Sequence, residues 1–110
     1  ANHTAGWKWS NGERKYFYGL GVNTNYAGPI PDGFVLTDII PESYYIVFNH
    51  PPFEYFSENI EVMRRVEDLA WNFDPSTIGY EWNEFECQDY QRHYPEAIGY
   101  QVLRPIKKIV

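Results

Sequence analysis

Cysteine is almost missing from this sequence: Cys87 stands alone among 110 residues. One cysteine cannot close an internal disulfide, which points to a reducing, cytoplasmic setting. As a nucleophile it would need a nearby base, for which His93 is the nominal candidate. A lone cysteine in a strand is ordinarily a packing residue. Basic residues are also scarce, nine against fifteen acidic, for a net charge of −6. The only dense basic pairs are Arg64-Arg65 and, near the end, Arg104 with Lys107-Lys108. Binding to a phosphate backbone needs clustered cations, so direct contact with nucleic acid is not expected. No apolar run approaches the length of a membrane span, and no signal-peptide core is visible. In a cytoplasmic chain the Asn2-His3-Thr4 sequon would carry no glycan.

Catalytic and cofactor signatures are missing as well. Gly19-Leu20-Gly21 lacks the third glycine and the following helix of a dinucleotide loop. His3, His50 and His93 have no metal-ligand spacing. Ser10, Ser43, Ser57 and Ser76 lie in no nucleophile elbow. The expectation is a protein without cofactor or metal, and not an enzyme.

Aromatic residues, in contrast, are abundant: Trp 4, Tyr 10 and Phe 7, or 19% of the chain. That is more than a core of this size needs, so some are expected to line a pocket. Hydrophobic residues at 44% suit one folded domain. Residues 1–14 read as a polar leader carrying Trp7 and Trp9, and residues 15–110 as the domain. Strand composition marks Lys15–Val22, Phe34–Ile40, Ser43–His50, Tyr80–Phe85, Cys87–Tyr94 and Gly99–Ile106. Residues 23–33 read as a loop from their Asn, Gly and Pro content. One helix is predicted from about Glu58 to Phe73. Ser57 is its N-cap, Val62, Val66, Leu69, Ala70 and Phe73 form its apolar stripe, and Ile60 and Met63 widen it. Glu61, Arg64, Arg65, Glu67 and Asp68 fall on the wet side, and Pro75 stops the helix. The order implies an α+β fold, an antiparallel sheet with one long amphipathic helix on a face.

In order along the chain come TDIIP (Thr37–Pro41), SYYIVFNHPPF (Ser43–Phe53) and LAWNFDP (Leu69–Pro75). GYEWNEF (Gly79–Phe85), DYQRHYPE (Asp89–Glu96) and GYQVLRPIKKI (Gly99–Ile109) follow. With KYFYGLGV (Lys15–Val22) before them, these segments resemble the second half of the gyrase-inhibitor-like effector-binding domain of AraC-type transcription regulators. The resemblance implies a cytoplasmic sensor of a bacterial regulator, in which paired β-α-β-β units enclose an aromatic cleft. It also implies a planar, hydrophobic, often cationic ligand held beside an acidic residue. Where that family carries aspartate-aromatic-glutamate, this chain has Asp89-Tyr90-Gln91, and Glu86 is the nearest substitute. The chain holds one unit plus its lead-in. Either it is a fragment, or two copies pair to complete the cleft, and a homodimer is the expected form.

Strand alternation puts Asp89, Gln91 and His93 on one face and Tyr90, Arg92 and Tyr94 on the other. The family pattern turns Gln91 toward the cleft, with Trp82, Tyr90, His93, Glu86, Tyr18, Tyr45 and Phe48 as companions. A protein-interaction or inhibitor module is the alternative function. A hydrolase is a further one, disfavoured because Gln91 cannot serve as a general base.

Overall fold

A computed structural model describes residues 2–23, 25–36 and 41–110. Strands β1 (Asn2–Ser10) and β2 (Glu13–Gly21) form a hairpin, followed by β3 (Tyr44–His50). Helix α1 (Tyr55–Asn72) and one 3-10 turn (Pro75–Ile78) precede β4 (Tyr80–Trp82), β5 (Asp89–Tyr94) and β6 (Gly99–Lys108). Among the described residues all six strands join one antiparallel sheet, in the order β2-β1-β5-β6-β3, with β4 pairing the end of β6. The α+β class read from the sequence is the class found.

The hairpin is the main departure. Its turn is Asn11-Gly12, both at positive φ (53° and 79°), the two-residue turn whose twist matches that of the flanking strands. Residues 2–10 are therefore the second strand of the sheet, not a polar leader. Each of their nine positions has a partner on β2. Their composition hides this because polar residues are enough for a strand that is wet on one side.

The core lies between α1 and strands β3 and β6. Phe48, Phe53, Val62, Val66, Ala70, Tyr100 and Val102 are buried there. The helix begins at Tyr55, so Ser57 lies in its first turn and is not the N-cap. Glu58 does part of the capping, its carboxylate accepting the Glu54 N–H at 2.8 Å. The row facing the sheet is Val62, Val66, Ala70, at spacing four. The helix is rolled toward the hairpin, where Met63 and Trp71 pack against the core. This roll leaves Leu69 59% and Ile60 74% exposed, against the expectation that both are core. The same roll brings Glu67, expected on the wet side, to an intermediate depth.

Phe34–Leu36, expected to open a strand, are irregular, and the remainder of that expected strand lies outside the described residues. Cys87 lies in the turn before β5 rather than in a strand, and it is buried. Two glycines permit close packing that no other residue could. A Cβ on Gly6 would lie 2.0 Å from the Asp89 carbonyl oxygen, and one on Gly99, at φ 105°, would lie 1.9 Å from that of His50.

The burial pattern predicts opposite results for two truncations. Phe48→Ala should cost about 3–5 kcal/mol in denaturant melts, because it empties a filled core site. Leu69→Ala should change stability by less than about 0.5 kcal/mol, as surface substitutions do.

Candidate functional site

The hairpin meets the rest of the sheet at two residue pairs only, Gly6 with Tyr90 and Trp7 with Asp89. Beyond Gly6, toward the start of β1, the strands part. β1 and β5 diverge, and the gap between them is a cleft of about 610 Å³. His3, Thr4 and Ala5 form one wall and β5 from Tyr90 to Tyr94 the other, with Tyr16, Tyr18 and Leu103 completing it. Ladder alternation turns the backbone groups of Gln91 and His93, and of His3 and Ala5, into this gap.

Gln91 sits at the cleft's inner end, in a chain of side-chain hydrogen bonds. Tyr16 OH donates to Gln91 Oε1 at 2.5 Å, Gln91 Nε2 donates to Tyr100 OH at 2.7 Å, and Tyr100 OH donates to Glu67 Oε2 at 2.6 Å. The chain fixes the amide's orientation and leaves one Nε2 hydrogen uncommitted. Tyr100 is fully buried, and burial together with its bond to Glu67 pushes its phenol up. His93 Nε2 lies 2.6 Å from Asn59 Oδ1. That oxygen can only accept, which assigns the proton to Nε2 and leaves Nδ1 as an acceptor. Burial lowers the His93 pKa and keeps the ring neutral. Tyr18 OH and His3 Nδ1 are hydrogen-bonded across the hairpin.

Of the residues expected to share a cleft, the structure gathers Gln91, Tyr90, His93 and Tyr18. The other four lie elsewhere. Phe48 is core, packed edge-on against Phe73. Trp82 is packed over Arg104, whose guanidinium carbon lies 3.6 Å from the ring centre. Tyr45 is on the face away from the helix, where it meets Tyr90 and donates to the Gln88 carbonyl at 3.0 Å. Glu86 is exposed in the turn before β5. Tyr16, His3 and Arg92 were not anticipated. The signal for Tyr16 was present, since Tyr16, Tyr18 and Leu20 alternate along one face of β2. No carboxylate is among the described residues that line the cleft, whereas Arg92 is.

A second cluster, buried beneath the hairpin, went unforeseen. Arg104 donates to Glu84 through Nε at 3.1 Å and Nη2 at 2.7 Å, and through Nη1 to the Ala70 carbonyl at 2.7 Å near the helix end. Its guanidinium is flanked by Trp82 and, at 5.0 Å, by Trp71, while Arg14 covers Trp71 at 3.7 Å. Asp89 is fully buried, and its Oδ1 lies 3.8 Å from Arg104 Nε. Burial, and then the neighbouring Glu84 carboxylate, raise the Asp89 carboxyl to about 9. Burial also works upward on Glu84, but the adjacent Asp89 carboxyl and the hydrogen bonds from Arg104 outweigh it and hold Glu84 ionised. Arg104 and Glu84 form the ion pair, and Asp89 is the neutral acid beside it.

Comparison with protein-family models, with curated proteins and with solved structures gives no match.

The raised Asp89 carboxyl has a testable sign. Above the ordinary carboxylate range and up to about pH 9, the folded chain keeps a proton that the unfolded chain has lost. The stability tied to Asp89 is full below that range and falls as pH rises, by at most about 1.4 kcal/mol per unit. Asp89→Asn retains a donor toward Glu84, so urea melts from pH 5 to pH 8 should lose this slope and show no destabilisation at pH 7. A loss of more than about 2 kcal/mol at pH 7 would mean that Asp89 is ionised and paired.

Proposed function

We propose that this protein is a non-catalytic, small-molecule-binding module whose ligand occupies the cleft between β1 and β5. One observation carries the reading. An open cleft of about 610 Å³ runs through the gap in the sheet, with Tyr16, Tyr18, His3 and His93 on its helix side and Tyr90, Arg92 and Tyr94 on the other, drawn from three strands. Pockets for small ligands have this size and this mixture, an aromatic lining with a few placed polar groups. The ligand is planar and hydrophobic. It is neutral or carries a carboxylate, because Arg92 offers a bidentate donor while the described residues of the wall include no acidic partner for a cation. Gln91 and His93 supply one free N–H and one ring acceptor. The resemblance to effector domains of transcription regulators supports a sensor role for such a module, in a bacterial cytoplasm.

An isosteric series tests this by calorimetry: 2-naphthoate, 2-naphthol and the 2-naphthyl trimethylammonium ion. The first two should bind, with the cation at least about tenfold weaker. Arg92→Ala should weaken naphthoate by about tenfold or more while leaving naphthol nearly unchanged. Tyr18→Ala should weaken both by several-fold. Absence of heat for all three at millimolar concentration, or tightest binding of the cation, would overturn the reading.

A further inference from the structure

The chain exposes 8116 Å². A compact monomer of its 13.0 kDa would expose roughly 6,300 Å², so about 1,800 Å² is in excess. The radius of gyration is likewise large, 15.4 Å against about 13 Å for a compact domain of this length. Part of the excess is the segment 22–36, whose described residues are all exposed. The contiguous part is the hairpin. The helix packs on β3 and β6, leaving Trp9, Tyr16, Tyr18 and Leu20 exposed on the helix-side face, from 39% to 59%.

The hairpin also ends the sheet. β2 is an outer strand of nine residues with no described strand beyond it. The opposite edge, β3, is shorter and has Pro41 before it and Pro51-Pro52 after it, which is how edges are ordinarily blunted. β2 contains no proline, and its charges are confined to Glu13, Arg14 and Lys15 at one end. The two-residue turn fixes which backbone groups face outward, namely those of Arg14, Tyr16, Tyr18 and Leu20.

We infer that β2 pairs with β2 of a second copy, antiparallel about a two-fold axis at Phe17. This register matches all nine residues and brings the outward groups of Tyr16 and Tyr18 together, and those of Arg14 and Leu20. No like charges face each other, because the two Arg14 side chains stand about 20 Å apart. The axis keeps each face on its own side. Both helices then flank one trough floored by four hairpin strands, with the tyrosines of both copies inside it. A standard interface takes about 600–1,000 Å² from each copy, which one chain's excess can supply even after the share of segment 22–36 is set aside. An isologous contact of this kind closes at two copies.

Sedimentation equilibrium of the ligand-free protein tests this independently of the cleft. The native chain should show twice 13.0 kDa with rising concentration. Leu20→Arg sets a like charge opposite the partner copy's Arg14 at two symmetric places, and should weaken the dimer on the order of tenfold. Leu20→Glu sets an opposite charge there and should tighten it by a similar factor, an effect that loss of folding cannot imitate. Monomer mass up to about 1 mM, or equal dimerisation of both variants and the native chain, would overturn the inference.

Discussion

The architecture depends on one close approach, the backbone of β1 against that of β5 at Gly6. A side chain there would collide with the Asp89 carbonyl oxygen, and no rotamer avoids a Cβ clash. With hydrogen in that place the two strands pair over two residues, and several contacts become possible at once. Trp7 meets Trp71 edge-on at 5.0 Å, Phe17 meets Tyr90, and Tyr16 reaches Gln91. Because the pairing extends no further than residue 6 toward the start of β1, the strands part beyond it. The cleft is the geometric consequence of that short ladder.

The same approach seals the polar cluster. A buried guanidinium is costly unless its donors are met, and Arg104 satisfies them with Glu84 and the Ala70 carbonyl. Stacking against Trp82 and Trp71 adds attraction in a setting from which water is displaced. Two ionised carboxylates and one buried cation would leave an uncompensated charge, and the neutral Asp89 removes it. Much of the tryptophan content is explained here. Trp71 and Trp82 flank Arg104, and Trp7 packs edge-on against Trp71 from the hairpin.

What could be read from the sequence follows from how local each signal is. The periodicity of Val62, Val66 and Ala70, the β-branched and aromatic run at Tyr44–His50, and the stop at Pro75 are local, and each marks its element. Alternation also placed Asp89, Gln91 and His93 on one face, and the register with Trp7, Val102 and Tyr100 agrees. The hairpin's first strand was hidden by polar composition, although Asn11-Gly12 is a strong two-residue turn signal. Leu69 was misplaced because periodicity gives a stripe but not the roll of a helix about its axis, which Trp71 decides by packing toward Trp7. Trp82, Phe48, Tyr45 and Glu86 could not be separated from cleft residues without knowing which strands part. That is a property of the sheet's order, not of any segment.

The cleft is the central claim, and amide shifts in a 15N-labelled sample titrated with 2-naphthoate test it most directly. Binding there should move the resonances of His3, Ala5, Tyr18, Gln91 and His93 together, along one saturation curve. The buried amides of Val62, Val66 and Ala70 should stay still. Shifts confined to the helix, or to the segment 25–36, would place the ligand elsewhere and contradict the account.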